Sequence, residues 1–203
     1  LLYSLAKGER MKPLVPTEHP LPLDVDKLAE TLEPGGEFSR HIPDFEHRSQ
    51  QVEVLKSVAK AFSNGDHLMV EAGTGTGKSL AYLIPAACWA IQNCERVVIS
   101  TNTIALQDQL MQKDIPDLVK ALDLDLHVSL LKGRGNYLCP RRLTLMRRRK
   151  LETADELRVL AKVLVWLQHS ASGDRAEINL NGPVERMVWS RMSAEDEGCK
   201  LET

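Results

Sequence analysis

The amino-acid sequence predicts an α/β fold, a parallel sheet with helices on both faces, followed by an all-helical stretch. Three observations predict it. Short apolar runs at Leu68-Met69-Val70, Val97-Val98-Ile99 and residues 126–131 alternate with segments of helical periodicity, the pattern of a sheet whose strands are linked by crossover helices. A glycine-rich turn ending in Gly77-Lys78-Ser79 joins the first apolar run to the helix pattern after it. Beyond Lys132 the strand signals stop, and helical patterns follow at residues 140–150, 154–170 and 184–192.

Taken in order, residues 1–23 hold Pro13, Pro16, Pro20 and Pro22, a density that blocks helix and sheet pairing and reads as a linker. Val25, Leu28, Ala29 and Leu32 mark a short amphipathic helix that Pro34-Gly35-Gly36 stops. Val52, Leu55, Val58, Ala59 and Phe62 repeat at helical spacing until Asn64-Gly65. The run at Leu68 is read as a buried strand, residues 78–92 as a helix, and the run at Val97 as a second strand. Residues 103–113 and 115–122 are read as two helices, and residues 126–131 as a third strand. No internal repeat or low-complexity tract interrupts this order.

Composition bounds the function classes. The chain has 203 residues, 43% of them hydrophobic, which suffices for a buried core. A formal net charge of −2 and 4% aromatics give the average composition no nucleic-acid or membrane character, so any basic surface is local. No apolar run approaches the roughly 18 residues of a membrane span, and the first residues lack the order of a signal peptide. A cytoplasmic, membrane-free protein is the default expectation. The opening Leu1 and closing Lys200-Leu201-Glu202-Thr203 read as cut ends. Cys88, Cys94, Cys139 and Cys199 are too scattered for a disulfide scaffold, and Cys88 and Cys94 read as core thiols.

The chemistry concentrates at Ala72-Gly73-Thr74-Gly75-Thr76-Gly77-Lys78-Ser79. Glycines there let backbone N–H groups turn inward as an anion cradle, and the N-terminus of the following helix adds partial positive charge. Lys78 is placed to reach the β- and γ-phosphates of a nucleotide, and the Ser79 hydroxyl to hold Mg²⁺. Ala72 stands where the general phosphate-loop pattern has glycine, and Gly73, Gly75 and Gly77 remain.

Together with Glu71 and the segments around it, this loop resembles the DinG/XPD family of superfamily 2 DNA helicases, from about residue 45 to the end. The resemblance implies a RecA-like motor domain that uses ATP and Mg²⁺. Phe45-Glu46-His47-Arg48-Ser49-Gln50-Gln51 is similar to the family's adenine-recognition segment, which gives Arg48 and Gln51 the base; a glutamine amide can donate and accept at the adenine edge together. Ser100-Thr101-Asn102-Thr103-Ile104-Ala105-Leu106-Gln107-Asp108-Gln109-Leu110 is similar to the family's motif Ia, which grips a DNA phosphate without reading sequence. Thr101, Asn102, Thr103 and Gln107 are the implied contacts. By their own chemistry Thr101 and Thr103 are also helix-capping candidates.

Lys132-Gly133-Arg134-Gly135-Asn136-Tyr137-Leu138-Cys139 resembles the segment that carries the family's first iron–sulfur cysteine, and Gly198-Cys199-Lys200 falls where the second is expected. The resemblance implies a [4Fe–4S] cluster, which normally takes four thiolates; Cys139 and Cys199 supply two. Residues 132–150 hold eight basic side chains and no acidic one, so Arg134, Arg147 and Arg148 join the expected DNA contacts.

These readings divide the chain into a linker and short helix (1–44), the first part of a motor domain (45–132) and the start of a helical iron–sulfur domain (133–203). A carboxylate pair following an apolar strand, needed to hold Mg²⁺ and orient water, is missing: Asp155-Glu156 and Asp196-Glu197 both follow polar or small residues. The expected activity is ATP-driven unwinding of single-stranded or forked DNA. The alternatives are a nucleotide-dependent DNA-binding module without unwinding, a helicase joined to an upstream exonuclease, and a small-molecule phosphotransferase. The last leaves the segments at Ser100 and Lys132 unexplained. Oligomeric state has no signal in these residues.

Overall fold

A computed structural model describes residues 14–73, 75–149 and 153–195. It divides into two compact units, one ending at Leu130 and the other beginning at Leu131.

The first unit contains α1 (Val25–Glu30), α2 (Glu37–His41), α3 (Ser49–Asn64) and α4 (Lys78–Gln92). It closes with α5 (Ile104–Gln109), a π-helical turn (Leu110–Asp114) and α6 (Ile115–Leu122). The Asp24 carboxylate caps α1 by accepting from the Lys27 N–H at 3.1 Å. α3 ends at Gly65, whose φ of 70° is the left-handed conformation that glycine adopts without steric cost. The helices bury one face each around Leu28, Leu32, Phe38, Leu55, Ala59, Ala81, Ile84 and Leu118. Phe62 of α3 meets Trp89 of α4 with ring centroids 5.7 Å apart.

Residues 14–23, the described part of the proline-rich start, form no regular structure, as their composition predicts, yet they are tied down rather than free. Asn93, fully buried at the end of α4, accepts the Leu21 N–H at 2.7 Å through its side-chain oxygen and donates to the Leu21 carbonyl at 3.2 Å. Its own carbonyl accepts both the Thr17 N–H and the Thr17 hydroxyl. Leu23 donates its N–H to Ser63 Oγ of α3 at 2.9 Å.

The expected sheet is not formed among the described residues. The runs at Leu68, Val97 and residues 126–131 have no regular secondary structure, and Met69 and Val98 are 97% and 88% exposed. The reason is physical: a strand gains its backbone hydrogen bonds only from neighbours in a ladder, and no ladder joins these three runs. Their apolar composition marks them for burial without supplying the partner.

The second unit is helical, as the periodicity after Lys132 predicts: α7 (Pro140–Arg148), α8 (Ala154–Trp166) and α9 (Pro183–Met192), with short 3₁₀ turns at Arg134–Asn136 and Arg175–Glu177. The helices share a core of Leu143, Met146, Val159, Val163, Leu180, Val188, Trp189 and Met192. The segment before α7 is pinned on two sides. Leu138 donates its N–H to the Gly173 carbonyl and Cys139 donates to the Met192 carbonyl at 2.8 Å. The buried Lys132 ammonium lies 2.9 Å from Asp174.

Asn93→Ala removes a buried side chain that bonds both the N–H and the C=O of Leu21; the carbonyl keeps its 2.8 Å bond from Gln92, but the N–H loses its acceptor. It is expected to destabilise the first unit by about 2 kcal/mol, read as a lower urea midpoint at unchanged m-value.

Candidate functional site

The turn into α4 is built by two glycines at positive φ, Gly75 at 82° and Gly77 at 72°. Gly77 is the residue from which α4 starts, so the left-handed turn aims Lys78 back over the loop. The Lys78 ammonium donates to the carbonyls of Ala72 at 2.7 Å and Gly73 at 2.6 Å. Thr76 closes the same loop through a 3.0 Å bond from its hydroxyl to the Gly73 carbonyl. A methyl group added at Gly73 or Gly75 would meet nothing within 4 Å, so the loop has open space on its outer side.

Gln51 reaches this loop from α3. Its side chain is buried, and the amide nitrogen donates to the Gly77 carbonyl at 2.7 Å. Arg48, one turn earlier at the start of α3, instead pairs with Glu46 at 2.7 Å. Ser79 lies in the first turn of α4 and shares a hydrogen bond with Tyr82. Burial raises the Tyr82 phenol above its ordinary range, the Ser79 bond partly offsets this, and the nearby Asp114 carboxylate adds to it. Asp114 is itself buried and accepts from Gln109 at 3.1 Å.

The structure thus brings Gln51, Ala72, Gly73, Thr76, Gly77 and Lys78 together. It adds Tyr82 and Asp114, which the sequence reading did not single out. Tyr82 follows Ser79 by three positions on one helix face, a spacing that was readable. Asp114 arrives through tertiary packing and left no local signal. Thr74 lies outside the described residues.

Elsewhere in the first unit Thr103 caps α5, its hydroxyl accepting from the Leu106 N–H at 3.2 Å, while the Thr101 hydroxyl donates to the Thr103 carbonyl at 3.3 Å. Asn102 is exposed and Gln107 half-buried. In the second unit Arg134 opens a 3₁₀ turn, and Arg147 and Arg148 stand exposed in the last turn of α7. Cys139 is buried immediately before α7. Cys199 lies outside the described residues. No group of three or more metal-binding side chains occurs among the described residues, so Cys139 is one of four thiolates a cluster needs and the described residues do not by themselves fit one. Glu156, of the rejected Asp155-Glu156 pair, sits buried in the first turn of α8 and pairs with Arg191.

Gly77→Ala places a methyl group against the Gln51 amide at a left-handed φ. The substitution is expected to cost about 1–2 kcal/mol from the backbone alone and to weaken nucleotide binding, measured by fluorescent nucleotide titration beside a thermal melt.

The DEAD/DEAH box helicase family model matches residues 48–148. The chain is 40% identical over 170 residues to the ATP-dependent helicase DinG of Mycobacterium tuberculosis (strain ATCC 25618 / H37Rv), covering 75% of this chain and 25% of that protein. It is 35% identical over 176 residues to the ATP-dependent DNA helicase YoaA of Escherichia coli (strain K12), covering 85% of this chain and 26% of that one. With the 3'-5' exonuclease DinG of Bacillus subtilis (strain 168) it shares 34% identity over 173 residues, 84% of this chain and 18% of the relative. The chain therefore spans about a quarter or less of the length of the relatives it matches. No helix among the described residues is long and apolar enough to cross a membrane. The family match brings with it a P-loop fold of the RecA-like kind, and with the phosphate loop starting α4 and these relatives alongside, the chain belongs to the DinG-type helicases.

Proposed function

We propose that this chain is the nucleotide-binding part of an ATP-dependent DNA helicase that couples ATP hydrolysis to movement along single-stranded DNA and to duplex unwinding. The observation that carries the reading is the loop from Ala72 to Ser79, turned by Gly75 and Gly77 so that Lys78 lies at its centre.

The loop fits a nucleotide triphosphate. Its backbone N–H groups and the start of α4 supply the anion cradle, and the Lys78 ammonium, now on two carbonyls, exchanges them for phosphate oxygens. The Ser79 hydroxyl can donate to Tyr82 and keep its lone pairs for Mg²⁺. When bound, Mg²⁺ neutralises charge that develops on the transferred phosphoryl group. Gln51 and Arg48 serve the adenine, and the Gln51 bond to Gly77 links base recognition to the phosphate loop. The three apolar runs are the strands of the motor-domain sheet, paired in the full-length protein.

DNA contacts are assigned to Thr101, Asn102, Thr103 and Gln107 in the motor region (45–132) and to Arg134, Arg147 and Arg148 in the helical region (133–203), acting on phosphates of single-stranded or forked DNA. Cys139 and Cys199 are the first two ligands of a [4Fe–4S] cluster in the full-length protein, which works in the cytoplasm. The Cys139 N–H bond to the Met192 carbonyl of α9 holds the backbone from which that thiol projects. The name of the Bacillus subtilis relative favours a second reading, in which the helicase follows an exonuclease domain on one chain.

Lys78→Ala in the full-length protein is expected to lower DNA-stimulated ATP hydrolysis by about a hundredfold or more, because no other cation takes its place at the phosphates. Near-normal turnover would refute the phosphate-loop assignment. For the cluster, the protein made anaerobically is expected to be brown, and Cys199→Ser to remove iron and unwinding while leaving ATP binding intact. Iron content unchanged by that substitution would return both cysteines to ordinary thiols.

A further inference from the structure

The start of α4 holds a pair of hydroxyls that the phosphate loop by itself does not explain. Ser79 and Tyr82 lie three positions apart on one face of α4, and their side chains share a hydrogen bond. The Ser79 bond pulls the Tyr82 phenol down against the rise that burial gives it. A bond acting in that direction is one the phenol oxygen accepts, so the Ser79 hydroxyl is the donor. The Tyr82 ring is half-buried against the core of the first unit. Beside it the π-helical turn Leu110–Asp114 packs on α4, a kind of turn that recurs at functional sites. Its Asp114 carboxylate is buried and fixed by the Gln109 amide at 3.1 Å. A negative charge near the phenol favours turning the phenol's own O–H toward Asp114, which leaves the oxygen lone pairs for Ser79. Ser79 itself is half-buried, so part of its hydroxyl stays open to the loop. A hydroxyl that ligates a cation through oxygen must aim its proton away from that cation. An acceptor already holding the proton selects the right rotamer before the cation arrives.

We propose that Tyr82 is a positioning residue for Mg²⁺: its phenol oxygen takes the Ser79 proton and keeps the Ser79 lone pairs free for the cation. The inference rests on the nucleotide-binding reading of the loop proposed above and deepens it, with Tyr82 itself touching neither phosphate nor metal.

The test is a Mg²⁺ titration of the binding of a fluorescent ATP analogue to the full-length protein, set beside binding in EDTA and a thermal melt. Tyr82→Phe keeps the ring and removes the acceptor. It is expected to raise the Mg²⁺ midpoint about tenfold, the lower end of what losing a partner of a metal ligand costs. Binding in EDTA is expected to stay within about twofold, because Lys78 and the backbone cradle hold the phosphates without the metal. Ser79→Ala is expected to raise the midpoint at least as far. Adding Tyr82→Phe to it should change nothing further, since a positioning residue has no effect once the group it positions is gone. A wild-type midpoint for Tyr82→Phe, with Ser79→Ala impaired, overturns the positioning role and leaves the phosphate-loop reading standing. Additive effects in the double variant overturn it as well. Loss of fold in Tyr82→Phe, or equal loss of affinity with and without Mg²⁺, makes Tyr82 a packing residue and overturns the assignment. Ser79→Ala that titrates as wild type removes Ser79 from the metal site and Tyr82 with it. Wild-type protein that binds no nucleotide overturns both this inference and the reading it rests on.

Discussion

The seating of α3 on α4 is the contact on which the rest of the first unit depends. Leu55, Ala59, Ala81 and Ile84 are completely buried in the shared core, and the two alanines present little side chain, which lets the helix surfaces approach closely. Gln51 lies one turn before Leu55 on the same face of α3, so this packing alone carries its amide to the Gly77 carbonyl. The phosphate loop is thereby held twice at its Gly77 end, by α4 covalently and by α3 through one hydrogen bond. The proline-rich start depends on the same pair, with Leu23 bonded to Ser63 of α3 and Leu21 to Asn93 at the end of α4.

Elements with local causes were legible in the sequence. The apolar period of residues 52–62 and the Asn64-Gly65 stop describe α3 nearly to the residue, and the switch after Gly77 gives the start of α4, because capping and amphipathicity act within a few turns. Met69 and Val98 show the opposite case. Their runs have strand composition, but pairing depends on residues distant in sequence, and composition cannot supply a ladder. The same division holds at the site. Gly73, Gly75, Gly77 and Lys78 declared themselves by spacing, whereas the arrival of Asp114 beside Tyr82 is a packing event with no local signature. Glu156 was visible only as a carboxylate in the wrong context for Mg²⁺; its partner, Arg191, lies thirty-five residues on.

The structure also resolves the basic run of residues 132–150 into groups with different causes. Lys132 is buried against Asp174, so its charge belongs to the fold. Arg147 and Arg148 occupy the last turn of α7, where positive side chains interact favourably with the helix dipole by about 0.3–1 kcal/mol each. That suffices to account for their presence without a ligand, although it does not remove their exposure. Arg149, just beyond the helix end, is different: it shares a buried carboxylate with Arg191, which arrives from α9. Desolvating a carboxylate is costly, and the two guanidiniums at Glu156 offset that cost. The fold therefore accounts for Lys132 through Asp174, for Arg147 and Arg148 through the helix end, and for Arg149 through the carboxylate it shares with Arg191.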